Sequence, residues 1–366
     1  MFDAIDRADW RIAMEMYIFE DDETGREFRS HLKMAAKRGV EVMVLVDAFG
    51  CWSLPDSFWD ELRAAGGAVR WFRPIGRGLL VFRNHRKLLL IDDRVAFVGG
   101  FNVANEYYYG VEGEPPWRDN ALVFSSHNAA HLRYSFLKMW ARADRPLRRL
   151  LFRRSHGKTE RGFISDRVQF LESGPEDPRQ PVRRAYRLVI RNAQERIDLA
   201  MSYFYPPGRI MRALRRAVRR GVQVRLLFSQ KNDVPIARWA ARGLYGRLLR
   251  AGMEVWEYRP SMLHAKLAIA DNTVIVGSAN MDVRSERINY ELVAVVHDPE
   301  LAAQARADFE DDLQNADQVL LDRWKQRPFM QQIKERISYW LLARADLYLA
   351  KLDVSIFNLR RLRRLR

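Results

Sequence analysis

The stretch "HRKLLLIDDRVAFVGGFN", residues 85–102, puts a histidine and a lysine directly before an apolar run, and a second copy occurs later in the chain. The second copy is "HAKLAIADNTVIVGSAN", residues 264–280. Each copy contains His-x-Lys-x4-Asp and then a glycine-bearing segment that ends in asparagine. In an extended strand, residues two apart share a face, so each histidine and its lysine point the same way. The stretch therefore predicts a core hairpin whose polar end can belong to a site.

The repeat extends well beyond these two stretches. Four further pairs of segments match in the same order: 7–19 with 192–204, 35–47 with 217–229, 64–74 with 249–260, and 119–124 with 291–296. Each unit begins with a short apolar strand, continues with an amphipathic helix that ends at Gly39 or Gly221, and returns to a β-branched strand. This alternation predicts an α/β fold with two pseudo-twofold-related lobes. Each lobe is expected to be a mostly parallel or mixed sheet flanked by helices.

The repeat also predicts how the chain is divided. Residues 1–143 form the first lobe, 144–166 a basic linker, 167–321 the second lobe, and 322–366 an amphipathic, basic helical tail. Residues 167–174 look like a strand, and the same offset in the first unit falls before Met1. Either the first lobe lacks this edge strand or the native chain starts further upstream.

The composition limits the classes of binding partner but does not select one of them. The 366 residues are 48% hydrophobic and carry a formal net charge of +16. This surplus favours nucleic acid, anionic lipid or a phosphorylated substrate, although a solvated basic face would also produce it. The single cysteine, Cys51, excludes an intramolecular disulfide and a cysteine-rich metal site. No uncharged apolar run approaches about 18 residues, so no transmembrane helix is predicted.

The duplicated motif resembles the mark of the phospholipase D superfamily, and the resemblance covers nearly the whole chain up to about residue 320. Finer details are similar to the bacterial cardiolipin synthase branch. They are "MLHAK" (262–266), "GSANMDVRS" (277–285), "INYE" (288–291), "WRD" (117–119) and "AKRGVEVMVLVD" (36–47). The resemblance implies phosphodiester exchange through a phosphohistidine, with a single site between the two lobes.

Such chemistry needs a nucleophile, an acid for the leaving alkoxide and positive charge around the phosphoryl oxygens. By resemblance His85 is the nucleophile and His264 the acid and base, although the near-symmetry of the halves leaves the reverse order open. Two histidines can take opposite protonation states only if their surroundings separate their pKa values. The expected phosphate-binding residues are Lys87, Asn102, Lys266, Ser278 and Asn280.

Four carboxylates complete the predicted site. Asp119 and Glu291 are candidates to orient the histidines, with surface strand ends as the alternative reading. Asp92 and Asp271 close the two motifs and look structural, bracing the hairpin turns. The mechanism needs no metal and no other cofactor, and one histidine per motif without a cysteine cluster argues against a zinc site.

Three enzymatic readings compete for the substrate. The first is transfer of a phosphatidyl group from one phosphatidylglycerol to another, which makes cardiolipin. The second is hydrolysis or another lipid transfer, and the third is a nuclease. A non-catalytic, membrane-binding protein with a decayed site is excluded because both motifs are intact. The favoured reading predicts phosphatidylglycerol and a membrane surface as partners, without nucleic acid and without an obligate dimer. It places the enzyme peripherally on the cytoplasmic face of a bacterial cell membrane.

Two departures from the branch leave the second substrate open. Many bacterial cardiolipin synthases begin with transmembrane helices, and none is predicted here. "SYFYPPG" (202–208) also differs from the usual proline-initiated version.

Two segments rich in aromatic residues have alternative readings. The tail carries Trp324, Tyr339, Trp340 and Tyr348 and ends with five arginines among its last seven residues. It is either an interfacial helix on anionic lipid or a helix packed on the second lobe. "FGCWSLPDSFWDEL" (49–62) is either a lip through which lipid enters or ordinary core.

Overall fold

Two β-sheets form the frame of the protein in a computed structural model, which describes residues 1–73, 82–111, 113–125, 129–143, 162–165 and 167–342. The first sheet has six strands in the order β3-β2-β1-β4-β5-β6. These are β1 (Arg11–Met16), β2 (Glu41–Asp47), β3 (Ala68–Phe72), β4 (Leu88–Ile91), β5 (Val95–Gly99) and β6 (Ala121–Ser125).

The second sheet has nine strands in the order β15-β11-β10-β9-β12-β13-β14-β8-β7. These are β7 (Gly162–Ser165), β8 (Val168–Ser173), β9 (Arg196–Met201), β10 (Gln223–Ser229), β11 (Glu254–Tyr258), β12 (Lys266–Ala270), β13 (Thr273–Gly277), β14 (Glu291–His297) and β15 (Ala316–Gln318).

Helices flank both sheets. In the first half they are α1 (Phe2–Asp6), α2 (Glu23–Lys37), α3 (Asp60–Ala64), α4 (Asn105–Tyr108) and α5 (Ala130–Ala143), with a 3-10 turn at Asp56–Trp59. In the second half they are α6 (Pro181–Asn192), α7 (Gly208–Arg219), α8 (Pro235–Leu249), α9 (Val283–Arg287), α10 (Pro299–Gln314) and α11 (Leu321–Lys325). Residues 329–342 are also helical.

The two sheets share one topology, which confirms the predicted repeat and fold class. In the first, β1 pairs in parallel with β2 and antiparallel with β4, and β4 continues into β5 and β6. In the second, β9 pairs in the same way with β10 and β12, and β12 continues into β13 and β14. The carboxyl ends of β1 and β2 therefore lie at the same sheet edge as the amino end of β4. Since His85 directly precedes β4, the functional site is expected at that edge.

The helix ends follow the predicted chemistry. The Asp22 side chain accepts a hydrogen bond from the Gly25 backbone N–H and begins α2. Gly39 and Gly221 come just after the last turns of α2 and α7 with φ of 90° and 92°, a conformation that glycine adopts at little cost.

The two lobes share a hydrophobic core. Leu88 and Leu90 of β4 belong to the same buried cluster as Leu292 and Ala294 of β14. Burying this apolar surface between the sheets is the main favourable contribution to holding the halves together. The shared core thereby fixes β4, which follows His85, against β14, which begins at Glu291.

Part of the predicted linker was wrong. Gly162–Ser165, within the range 144–166, forms β7 and pairs with β8, because four residues with apolar Phe163 and Ile164 suffice to extend a sheet edge. Residues 144–161 and 166 lie outside the described part. The strand-like segment at 167–174 is β8, and it covers the outer edge of β14. Among the described residues, β6 of the first lobe has no equivalent neighbour.

The described portion of the predicted tail packs on the second lobe by one face. The buried Trp324 ring lies 5.0 Å from the Tyr245 ring of α8. The buried Glu335 carboxylate accepts hydrogen bonds from Arg242 and Arg327. The opposite face exposes Phe329, Met330, Ile337, Trp340 and Leu341. Tyr348 and the arginine-rich end, within 343–366, lie outside the described residues.

No helix within the described ranges has both the length and the apolar character that crossing a bilayer requires.

Candidate active site

The two histidines are held by backbone hydrogen bonds that cross between the lobes. The His85 N–H donates to the Tyr290 carbonyl at 3.0 Å, and the His264 N–H donates to the Arg118 carbonyl at 2.8 Å. Each histidine therefore lies beside the segment of the other half that carries the candidate carboxylate. Both histidine side chains are buried.

The carboxylates pair with the histidines across the lobes. His85 Nδ1 lies 3.1 Å from Glu291 Oε2, and His264 Nδ1 lies 2.7 Å from Asp119 Oδ2. The sequence supplied one candidate carboxylate in each half, and the structure exchanges them. A carboxylate on Nδ1 fixes the tautomer and leaves Nε2 as the reactive nitrogen.

The two lysines lie beside the histidines and are fully buried. Lys87 Nζ donates to the His85 carbonyl at 2.8 Å. Lys266 Nζ lies 2.8 Å from Nδ1 and 3.0 Å from Nε2 of His264, and 3.9 Å from Asp119. Burial, and then the Lys266 ammonium, lower the pKa of Lys87 to about 7, while burial lowers the pKa of Lys266 to about 8. Two buried amino groups that can carry positive charge are suited to bind an anion, which would in turn favour their charged forms.

The surroundings of both histidines lower their pKa and so favour the neutral imidazoles. Burial and the neighbouring Lys87 lower the pKa of His85 to about 4, and burial and Lys266 lower that of His264 to about 3. The two shifts run in the same direction, so the opposite protonation states that the chemistry requires stay a prediction. An anionic phosphodiester between the lysines would offset their positive charge and raise the pKa of both imidazoles.

The predicted phosphate-binding polar residues have different surroundings. Asn102 donates from Nδ2 to the Tyr107 hydroxyl at 2.7 Å and accepts from the Ile18 N–H at 3.2 Å. The Asn280 side-chain oxygen accepts from Ser202 at 2.9 Å, which leaves the amide hydrogens of Asn280 as its donors.

Ser278 was predicted to bind phosphate, and in the structure its hydroxyl has a different acceptor. The buried hydroxyl donates to Glu291 Oε2, the same oxygen that contacts His85. Since a hydroxyl has one hydrogen, this hydrogen is not available to a phosphate. Ser278 instead holds the carboxylate that orients His85.

Gly100 occupies the position equivalent to Ser278 in the first half, and it makes room for the crossed contacts. A Cβ at Gly100 would lie 2.4 Å from Asp119 Oδ1 and 2.9 Å from the Lys266 side chain. Any larger residue would displace the pair that contacts His264.

The motif aspartates lie at the hairpin turns, away from the histidines. Asp92 accepts hydrogen bonds from the N–H groups of Asp9, Trp10 and Arg11, and Asp271 accepts from those of Gln194, Glu195 and Arg196. These contacts tie each turn to the start of β1 or β9. They are the contacts of a structural brace and carry no sign of a catalytic role.

Tyr107 is a site residue that the sequence did not predict. Its hydroxyl lies 3.2 Å from Nδ1 and 3.5 Å from Nε2 of His264, and its ring lies 5.2 Å from that of Trp117. Its pseudo-equivalent, Ser285, instead accepts a hydrogen bond from the Asn280 N–H. The phenol therefore makes the surroundings of the two histidines unequal. The four-residue helix α4 that holds it is too short to show a periodic signal.

We predict that Tyr107→Phe lowers kcat about tenfold, the effect of losing roughly one hydrogen bond to a reacting group. Asn102 donates to the Tyr107 oxygen, so the phenol hydrogen can be donated to His264, which favours the neutral imidazole. Its loss should raise the pKa of His264 and move that limb of the kcat/KM profile to higher pH. Tyr134→Phe, which removes a hydroxyl at an exposed position of α5, is the matched control. An unchanged pH profile in Tyr107→Phe would assign the phenol a purely structural role.

The sequence also did not predict a buried network of polar and charged side chains around the two neighbours of His85. The Asn84 side chain donates to Glu15 at 2.7 Å, and its backbone N–H donates to Asp47 at 2.8 Å. Arg86 lies 3.2 Å from Glu15 and 3.6 Å from Glu172 of the second lobe. The signal was present as charged residues inside otherwise apolar strands. In the second half, Leu263 and Ala265 flank the histidine instead.

Two lobes of one topology, each contributing a His-x-Lys segment to one shared site, define the phospholipase D superfamily. A model of the family described as "Cardiolipin synthase, PLD-like domain" matches residues 1–140 and 186–313. The chain belongs to this family, which confirms both the predicted superfamily and the predicted branch.

The sequence similarity to known proteins extends over most of the chain. It is 33% identical to "Cardiolipin synthase" of Geobacillus kaustophilus, over 92% of this chain and 68% of the relative. It is 35% identical to "Cardiolipin synthase A" of Pseudomonas fluorescens, over 92% of this chain and 71% of the relative. The crystal structure of phosphatidylserine synthase from Haemophilus influenzae superimposes with a TM-score of 0.73 at 14% identity, covering 96% of this chain and 91% of that one. This last likeness concerns the fold.

Proposed function

We propose that the protein is a phosphatidyltransferase that makes cardiolipin and glycerol from two molecules of phosphatidylglycerol, through a phosphohistidine. The observation that carries the proposal is the crossed pair of contacts, His85 with Glu291 and His264 with Asp119. Membership of the cardiolipin synthase family supports the choice of lipid.

The first half-reaction breaks the bond between phosphorus and the glycerol oxygen. The neutral His85 attacks with Nε2, since Glu291 holds its Nδ1. Protonated His264 donates its proton to the departing glycerol oxygen. Lys87 and Lys266, with the amide hydrogens of Asn280, bind the phosphoryl oxygens and offset the charge that develops there.

The second half-reaction reverses these roles. Neutral His264 accepts the proton of a hydroxyl from a second phosphatidylglycerol, and that oxygen attacks phosphorus. The bond to His85 breaks, and cardiolipin is released. His264 thus regains the proton that it gave in the first half-reaction.

The low pKa values of both histidines make proton uptake part of substrate binding. Burial lowers the pKa of each imidazole, whereas His264 must be protonated to act as an acid. The bound phosphodiester anion supplies the negative charge that favours this protonation. Substrate binding in the reactive form, in which His264 is protonated, should therefore weaken as the pH rises.

We also propose that the enzyme works peripherally at the cytoplasmic face of a bacterial membrane. Phosphatidylglycerol is held in a bilayer, and the net charge of +16 favours an anionic surface. The same positive charge would also attract nucleic acid. Nuclease activity is therefore the alternative that must be tested directly.

The test is incubation of the purified chain with phosphatidylglycerol liposomes. We expect cardiolipin and free glycerol in equal amounts, measured by lipid chromatography and an enzymatic glycerol assay. Phosphatidic acid without cardiolipin would make the protein a hydrolase. Cleavage of single-stranded DNA without lipid turnover would make it a nuclease. Either of these results contradicts the proposal.

A further inference from the structure

The first lobe exposes four large aromatic side chains in two segments beside the site, the loop after β2 and the end of α4. Phe49 is 43% exposed, Trp52 76%, Tyr108 55% and Tyr109 46%. We call these four residues the aromatic rim. In contrast, Phe58 and Trp59 of the same predicted segment are buried in the core. Within residues 49–62, the reading as ordinary core therefore applies to Phe58 and Trp59. The reading as a lip for lipid applies to Phe49 and Trp52.

The loop that carries Phe49 and Trp52 is joined to the wall of the site beside His85. A Cβ at Gly50 would lie 2.0 Å from the Tyr17 carbonyl oxygen, and Cys51 Sγ donates to that oxygen at 3.3 Å. The Tyr17 ring lies 4.8 Å from the ring of His85. Trp52 follows Cys51 directly, so this exposed ring belongs to a loop that contacts the wall of the site.

The loop is fixed by its own hydrogen bonds. Asp47 Oδ1 accepts from the N–H groups of Phe49 and Gly50 at 2.9 and 3.1 Å. The exposure of Trp52 therefore does not come from a loosely packed loop. The other half of the rim directly follows Tyr107, the residue in contact with His264.

The internal repeat provides a comparison for these positions. In the second lobe the loop after β10 reads Gln230, Lys231, Asn232, Asp233 and Val234, which contains one aliphatic residue and no aromatic one. The positions equivalent to Tyr108 and Tyr109 are Glu286 and Arg287 in the sequence. Since the same topology forms without aromatic residues, the fold does not require the rim.

We propose that the aromatic rim is the surface by which the protein docks on a phospholipid bilayer. Tryptophan and tyrosine favour the interface between headgroups and acyl chains. Docking by the rim would leave the acyl chains in the bilayer while the phosphate reaches His85, and the polar loops of the second lobe would face water. The inference rests on the proposed function, because it takes the substrate to be a membrane lipid.

The test is co-sedimentation with vesicles made of equal parts phosphatidylglycerol and phosphatidylcholine. We expect Trp52→Ser to weaken binding about tenfold, and Phe49→Ser with Trp52→Ser to weaken it further. Trp10→Ser is the matched control, because Trp10 is 41% exposed but lies just before the amino end of β1, at the opposite edge of the same sheet. It should bind as the unchanged protein does.

A second comparison addresses the exposed face of helix 329–342. Trp340 is 56% exposed there. If Trp340→Ser weakens vesicle binding and Trp52→Ser does not, the rim proposal is overturned in favour of this helix. Equal binding by all variants would also overturn it.

The experiment separates this inference from the proposed function. Vesicle binding needs no turnover, so rim-dependent binding by a chain that forms no cardiolipin would contradict only the proposed function. Cardiolipin formation with binding that does not depend on Trp52 would contradict only the rim. For an active chain, Trp52→Ser should also lower the rate on vesicles more than the rate on short-chain, monomeric phosphatidylglycerol.

Discussion

His85→Ala and His264→Ala should each abolish cardiolipin formation, with losses on the order of 10⁴-fold to 10⁶-fold, as expected when a nucleophile or its acid and base is removed. Both side chains are buried in one site, and neither can replace the other because each is held by a different carboxylate. His297→Ala is the matched control, since His297 is exposed at the far end of β14 from Glu291. Substantial turnover in either site variant would contradict a shared site.

The same two variants can assign the roles. With p-nitrophenol as the leaving group of a phosphatidyl ester, the first half-reaction needs no acid. His264→Ala should therefore release one equivalent of p-nitrophenolate in a burst and retain the phosphatidyl group on His85, because the base for the second half-reaction is missing. His85→Ala should show no burst. The opposite pattern would reverse the assignment of nucleophile and acid.

Asp119→Asn and Glu291→Gln should each lower kcat by about 10² to 10⁴, the range seen when the carboxylate behind a catalytic histidine becomes an amide. The amide keeps the shape of the side chain but can present a donor to Nδ1, which favours the wrong tautomer. Asp312→Asn is the matched control: this buried carboxylate contacts Arg118 beside Asp119 and, within the described part of the chain, contacts no histidine. We expect its kcat to change less than tenfold.

The crossed arrangement itself can be tested by NMR of histidine labelled with ¹⁵N. Asp119→Asn should change the ring nitrogen shifts of His264 of the second lobe more than those of His85. Glu291→Gln should do the reverse. If each carboxylate instead affected the histidine of its own half, the exchange between lobes would be wrong.

The fold could be predicted because the chain contains an internal repeat, so that each copy can be compared with the other. One His-x-Lys stretch is ambiguous, and a second copy in the same order of strands and helices removes the ambiguity. The strand at Gly162–Ser165 escaped prediction because four residues within a basic stretch give no periodic pattern. Which face of the tail is buried could not be predicted, because this burial depends on packing against α8. No residue pattern specifies that packing.

The site was predicted as a set of residues, but its connections were not. A repeat shows which residues are equivalent, and it does not show which half supplies the partner of each. The crossing of Asp119 and Glu291 follows from how the sheets face each other, which is a property of the folded chain. The hydroxyl of Ser278 was assigned to phosphate because the sequence could not show that Glu291 lies within reach. The low pKa values of both histidines likewise depend on burial.

The exchange of carboxylates has a consequence for the evolution of such a chain. A repeat normally allows one copy to lose function while the other preserves it. Here the histidine of each half contacts a carboxylate of the other half, so damage to one copy is expected to disable the pair. The two halves can diverge at positions such as Gly100 and Ser278, but neither can decay independently. Natural selection therefore acts on the duplicated halves as one inseparable unit.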